Sequence, residues 1–279
     1  MIGPFRKGRG HMDQHYVHGY DGVESLRLHD QASTLEDLLH GDTAYPGGST
    51  ILEAGCGVGA QTVALARRNP GVKITCVDVS ARSLMTAEAH VAAAGLPRPD
   101  FRQADLHALP FSEASFDHVF VCFVLEHLAR PARALAELRR VVKPNGTITV
   151  IEGDHGSTFF HPDDSDARAV IRCQVDLQRA AGGDALIGRR LFPLLAQSGF
   201  DAVRVSPRLV YVDASRPNLA EGFVRKTFTA MIAGIRSPAT AANLIDGATF
   251  DSGIRALLRT SEADGVFCYT FFKAVGRKA

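Results

Sequence analysis

The chain has 279 residues, 46% hydrophobic and 22% charged, a balance that suits a globular fold able to bury a substantial core. Its formal net charge is +1, so no global field recruits nucleic acid or an acidic membrane surface, and no apolar run approaches the ~18 residues needed for membrane insertion. The five cysteines, Cys56, Cys76, Cys122, Cys173 and Cys268, lack CxxC pairing, which argues for reduced thiols in a cytoplasmic protein and against a disulfide framework or a zinc site.

Residues 1–12 carry Arg6, Lys7 and Arg9 among glycines and a proline, ahead of a second methionine, Met12, and read as a disordered leader or remnant. Residues 13–48 read as an N-terminal helical lid. Asp21-Gly22-Val23-Glu24 fits a capping box, and Leu28, Ala32, Leu35 and Leu39 then step by 4, 3 and 4 along one helix face.

Residues 49–279 read as one α/β domain. Thr50–Glu53 predicts a buried strand, followed by a glycine loop, a helix near Gln61–Arg68 and a strand at Val72–Val77. A helix near Ser83–Ala94, a short strand at Asp100–Ala104, the strand His118–Phe123, a helix from Pro131 and the strand Thr147–Ile151 continue the alternation. Such spacing implies a parallel, doubly wound sheet covered on both faces. Helical stretches near 163–181 and 188–198 precede the strand Val203–Val212, and Val266–Val275 closes the sheet as an antiparallel pair. Residues 213–263 between these strands read as a helical cap, a long insertion of the kind that usually serves function.

The unit ILEAGCGVGAQTVALA carries the strongest chemical signal. Gly55, Gly57 and Gly59 let the backbone turn tightly and admit a ligand closely, and the next helix turns its N–H groups toward a polar ligand. Asp78, 19 residues past Gly59, stands at a strand end where an acid accepts bonds from ribose hydroxyls. The loop is GCGVG rather than GxGxxG, and Glu53 precedes it; an anion there repels a pyrophosphate but helps hold a cationic amino-acid portion. A nicotinamide oxidoreductase is therefore a distant reading.

The ordered series LEAGCGVG, VDVS, QADLHALPF, FDHVFVCFVLEHL and VVKPNGTITV resembles the class I S-adenosylmethionine-dependent methyltransferases over about residues 50–152. The resemblance implies a Rossmann-like seven-stranded sheet with its last strand antiparallel, and S-adenosyl-L-methionine as cofactor. Gly55, Gly57 and Gly59 would line the methionine and ribose portions, with Glu53 before them, while Arg27 and Tyr20 on the N-terminal helix are candidates to contact the cofactor's carboxylate or roof the site. Asp78 would hold the ribose and Val79 pack on the adenine. Asp105 would accept the adenine amino group beside Leu106, and Cys122 would lie near the transferred methyl. Asn145 stands where the family often has glycine, and asparagine tolerates positive φ.

The flanks bear on the acceptor, a small molecule. Tyr16 and Tyr20 resemble residues of an N-terminal helix that closes over the cofactor, while a surface helix with packed aromatics is the equal alternative. His155 follows the fifth strand at the carboxyl edge, as a catalytic or orienting group facing substrate or as a capping residue. Tyr20 is the second catalytic candidate, and Tyr211 joins Tyr16, Tyr20 and His155 as a substrate contact. Asp154, His155, His161, Asp163 and Asp164 match no metal-ligand spacing, so no metal is expected. The absence of an NPPY-type tetrad disfavours nucleic-acid amines.

GDHGS followed by HP, with the terminal FCYTFFKAVG, resembles a branch that includes teleocidin-type C-methyltransferases, which methylate a prenyl alkene. Phe159, Phe160, Tyr211, Phe223, Phe228 and Phe272 could then form an apolar wall, or simply core. Methylation of carbon in a lipophilic metabolite ranks ahead of O- or N-methylation of an aromatic or other secondary metabolite. A cofactor-binding module without transfer activity is the reading from another class, and the oligomeric state, homo-oligomer included, stays open.

Overall fold

The computed structural model describes residues 31–279, Ser33 excepted. The leader at 1–12, the first part of the expected lid, and Tyr16, Tyr20 and Arg27 lie outside the described residues. Helix α1 covers 31–40, and its sequence periodicity sets its inner face: Ala32, Leu35 and Leu39 are buried.

The alternation then runs β1 (Thr50–Ala54), α2 (Ala60–Arg68), β2 (Lys73–Asp78), α3 (Ala81–Ala93), β3 (Asp100–Gln103), β4 (Phe116–Cys122), α4 (Pro131–Val141) and β5 (Val142–His161). Successive strand residues point to opposite faces, so Ile51 joins the core beneath α1, α2 and α3, while Leu52 joins the core beneath α4. Asn145 makes the turn into the ladder at φ 64 and donates its N–H to the Lys278 carbonyl at 2.8 Å.

After α5 (Ser165–Ala180) and α6 (Leu191–Gln197), β6 (Asp201–Val212) and β7 (Val266–Arg277) complete a seven-stranded sheet. Its order is β3-β2-β1-β4-β5-β7-β6, with β7 antiparallel to both neighbours. The order reverses between β1 and β4, and the loops leaving these two strands open the crevice where such sheets bind ligands.

Strand β5 departs from the sequence reading. Its expected end is Ile151, with Glu152–Ser157 beyond it, yet the strand continues to His161. Strand β4 accompanies it only to Ile151; farther up, β5 is held by β7, with a register shift between Asp154 and Phe159. The polar run hides this because its buried side chains find partners. Asp154 receives both arms of Arg189, at 2.6 and 2.8 Å, so a carboxylate sits inside a strand without an unmet charge.

The cap consists of α7 (Pro217–Leu219), a π-helical segment Ala220–Thr229, α8 (Ala230–Gly234), α9 (Arg236–Ala241) and α10 (Gly247–Arg259). Phe223, Phe228, Ile232, Phe250 and Leu257 bury into the same apolar cluster as Leu35, Leu39 and Phe120. A Cβ on Gly222 would collide with the Thr34 side chain, and one on Gly253 would lie 2.5 Å from the Asp166 carbonyl. The cap is thus seated on α1 and α5 and shares the main core. Lys273 of β7, itself buried, fixes the end of α1 by donating to Asp42 and Thr43, both at 2.6 Å, and to the Leu39 carbonyl at 3.2 Å. Burial opposes the Asp42 charge, but Lys273 and Arg208 draw its carboxyl down to about 2. No helix among the described residues is long and apolar enough to cross a membrane.

Candidate cofactor and acceptor site

Between β1 and α2, Gly55, Gly57 and Gly59 adopt φ of 77°, 51° and 78°, the left-handed region that side-chain-bearing residues avoid. The loop is pinned from below: Gly55 and Cys56 donate to the Val77 carbonyl at 2.8 and 3.0 Å, and Gly59 to the Cys56 carbonyl at 2.9 Å. His90 of α3 holds the Val58 carbonyl at 2.8 Å. Above Gly57 there is open space, whereas Gly55 approaches Val124 and Gly59 approaches Ala87 too closely for any Cβ. Gly57 is therefore the one glycine of the three where a Cβ would meet no neighbour.

Asp78, at the tip of β2, joins the loop directly. Its Oδ2 accepts the Gly57 N–H and its Oδ1 the Ser80 N–H, both at 2.9 Å. Burial raises the carboxyl, and these N–H groups oppose the rise. A carboxylate has about four lone-pair directions, so roughly two remain for a ligand's hydroxyls. Val79 follows with half of its surface exposed (50%), an apolar ledge beside Asp78, and its carbonyl receives the Gln103 amide at 2.8 Å.

Asp105 lies on the segment after β3, next to Ala104, whose N–H donates to the Asp78 carbonyl at 3.0 Å. One oxygen of Asp105 accepts both the backbone N–H and the ring N–H of His107, at 2.8 and 2.9 Å, and its carboxyl is lowered: burial opposes the charge, but His107 and Arg133 outweigh it. Leu106 turns its side chain into the core beneath α4 rather than into the crevice. Cys122 ends β4 buried, with its thiol raised by burial first and then by the carboxylates Glu152, Glu53 and Glu126 around it.

Glu53 sits beneath the loop, not along it. It is buried, it accepts the Cys76 thiol at 3.3 Å, and burial lifts its carboxyl from 4.5 to about 7, with the Asp78 charge adding to the lift. The folded chain therefore favours the protonated acid, and this contribution to stability is full below about 4.5 and lost as pH rises through about 7. Glu53→Gln, which cannot ionise, should match the ligand-free parent near ~pH 5 and exceed it by on the order of 2–3 kcal/mol near ~pH 8.5 in thermal or denaturant unfolding. A difference between the two that does not change with pH would remove Glu53 from this role.

A second polar group of residues gathers where β5 outruns β4. Glu152 is fully buried, and its Oε1 accepts the Val124 and Leu125 N–H groups at 3.1 and 2.7 Å. It thereby holds the turn that presses Val124 against Gly55. Burial, and then the Glu126 carboxylate, push its carboxyl well above the usual range. Glu126 accepts from Gln178 at 3.2 Å. His155 lies buried against Phe228 and Tyr269, with Nδ1 at 3.1 Å from the Tyr269 hydroxyl, and burial lowers its pKa.

The structure thus brings Gly55, Gly57, Gly59, Asp78 and Val79 together at the β1 and β2 strand ends, with Glu53 buried beneath the loop and Cys122 buried at the end of β4. It does not bring Tyr211 there: that residue stands on the edge strand β6, with the Arg216 guanidinium 5.6 Å from its ring centroid. Nor do the six aromatic side chains form one wall. Phe223 and Phe228 pack with Tyr269 beside His155, Phe160 stacks on Phe267, Phe159 is exposed, and Phe272 packs on the opposite face. The acids considered for a metal disperse: Asp154 pairs with Arg189, Asp163 with Arg168 at 2.7 Å, and Asp164 caps α5. Sequence reasoning missed Glu152 and Tyr269; the only signal for the first was an acid closing the apolar run Thr147–Ile151.

Residues 52–150 match the family described as methyltransferase domain. These residues form a methyltransferase domain. The domain's surroundings extend the likeness. An uncharacterized 37.1 kDa protein in transposon TN4556 of Streptomyces fradiae is 34% identical over 215 residues, 76% of this chain and 61% of that one. A ubiquinone biosynthesis O-methyltransferase of Paracidovorax citrulli is 37% identical over 102 residues, 36% of this chain and 42% of that one. The chain thus spans less than two thirds of either relative's length. The methyltransferase fold is shared with phosphoethanolamine N-methyltransferase 2 of Haemonchus contortus, solved with phosphomonomethylethanolamine and S-adenosylhomocysteine. The TM-score is 0.57 at 16% identity, covering 92% of this chain and 58% of that one.

Proposed function

We propose that this chain transfers the methyl group of S-adenosyl-L-methionine to a small lipophilic acceptor. The observation that carries the reading is the bond between Asp78 and Gly57: one carboxylate organises the glycine loop and keeps lone pairs for a ribose. Val79 offers the adenine an apolar ledge. When bound, the cofactor supplies an activated methyl on a sulfonium. The chain's own part is to align the acceptor with it and exclude water, since proximity and orientation provide most of the catalysis.

Among acceptors we favour an alkene carbon over oxygen or nitrogen. Support comes from the Phe228 and Tyr269 rings packed beside His155, the resemblance of both flanks to the prenyl C-methyltransferase branch, and the lowered pKa of the buried His155, which makes it a weak proton acceptor. The five free, buried cysteines support a reducing compartment such as the cytoplasm. Incubating the protein with methyl-labelled cofactor and parallel sets of prenylated, phenolic and amine acceptors tests both levels. Label in prenylated carbon is expected. Label in phenols or amines alone would overturn the alkene assignment, and cofactor binding without transfer to any extract would favour a non-catalytic module.

A further inference from the structure

Two buried polar atoms in the β5 extension, Glu152 Oε2 and His155 Nε2, have no partner among the described residues, and the second is the one set among aromatic rings. His155 is only 6% exposed, and its Nε2 meets no hydrogen-bonding group among the described residues. Leaving such a group buried and unpaired costs about 1–3 kcal/mol. The surroundings decide what that nitrogen is. Burial keeps the Tyr269 phenol protonated, with the Glu126 and Asp154 charges reinforcing it. Its hydroxyl oxygen lies 3.1 Å from Nδ1 of His155, within reach to donate its hydrogen to a neutral ring. Burial outweighs the carboxylates of Glu126 and Asp154 and keeps the imidazole neutral, with His127 acting in the same direction. A neutral imidazole that accepts at Nδ1 carries its hydrogen at Nε2. Gly153 makes the arrangement feasible, because any Cβ there would collide with the Tyr269 hydroxyl.

We propose that His155 presents its Nε2–H, with the tautomer fixed by Tyr269, as the hydrogen-bond donor to a hydroxyl or carbonyl oxygen on the methyl acceptor. The inference rests on the methyl-transfer reading and narrows its substrate to an apolar body bearing one oxygen. His155 is then an anchor and not a base. The oxygen it holds is not the one methylated, because a lone pair engaged by a donor is a poorer nucleophile; this fits methylation at a nearby carbon. Phe228 of the π-helical segment, whose ring centroid lies 6.1 Å from that of His155, supplies apolar surface beside the polar contact. Such π segments recur at functional sites.

The test uses protein labelled with ¹⁵N at histidine and saturated with S-adenosylhomocysteine, observed by long-range ¹⁵N–¹H spectra near ~pH 7. The resonance lost in His155→Gln should show a neutral ring with the hydrogen on Nε2. It should shift with added p-cresol and not with toluene at equal concentration. His155→Gln should hold S-adenosylhomocysteine within about twofold of the parent. Tyr269→Phe, which removes the hydroxyl and little volume, should release the tautomer preference. A charged ring or an Nδ1–H tautomer in the parent overturns the proposal. So does an equal response to both probes, or no response to either at their solubility limits. Failure of the methyl-donor reading is seen separately, as a Gly57 amide that does not respond to S-adenosylhomocysteine.

Discussion

Asp78→Ala should raise the dissociation constant for S-adenosylmethionine roughly tenfold or more, because each charge-assisted bond it makes is worth about 1.5–3 kcal/mol and tenfold corresponds to about 1.4. Two bonds are lost within the protein, to Gly57 and Ser80, together with whatever the carboxylate gives the ligand. Asp78→Asn should be nearly as damaging. Its amide nitrogen would face one of two backbone N–H donors, so one bond turns repulsive while the charge disappears. Neither variant should lose the fold, since β2 is held along its length by β1 and β3. Calorimetry on folded variants checks this, and unchanged affinity would place Asp78 outside the site.

Two glycines of the same loop should separate stability from binding. Gly59→Ala combines a left-handed backbone at φ 78° with a Cβ that would lie 2.8 Å from both Cα and Cβ of Ala87. Those atoms belong to α3 and cannot swing away. Adding a conformational cost of about 1–2 kcal/mol to an overpacking cost of about 1–3 gives roughly 2–5 kcal/mol of lost stability. Gly57→Ala carries a φ of 51° but meets open space, so only about 1–2 kcal/mol should be lost. Its Cβ would instead occupy the side from which the ligand approaches, and binding should fall steeply although the protein stays folded. Equal destabilisation of the two variants, or intact binding in Gly57→Ala, would contradict this assignment of roles.

Much of this was legible in the chain because the relevant forces are local. The runs Thr50–Glu53 and His118–Phe123, the glycine loop and the acid at Asp78 each announce themselves within a few residues. Asn145 was readable as a left-handed turn for the same reason. What escaped depends on distant partners. Glu152, Asp154 and His155 read as a polar loop, yet they sit inside a strand where Val124, Arg189 and Tyr269 each meet one of them. Lys273 looks like a surface lysine on a terminal strand until Asp42 and Thr43, more than two hundred residues earlier, are seen to enclose it. The cap was found but its attachment was not. Only the contacts of Phe223 and Phe228 reveal that it shares the main core. The π-helical segment leaves no mark in residue periodicity.

The central claim is that the crevice above Gly57 and Asp78 holds S-adenosylmethionine. Its most direct test is calorimetric titration of the purified chain with S-adenosylmethionine and, separately, with NAD. We expect saturable one-site binding of S-adenosylmethionine that S-adenosylhomocysteine competes away, with no comparable heat from NAD. Tight binding of NAD with none of S-adenosylmethionine would contradict the account.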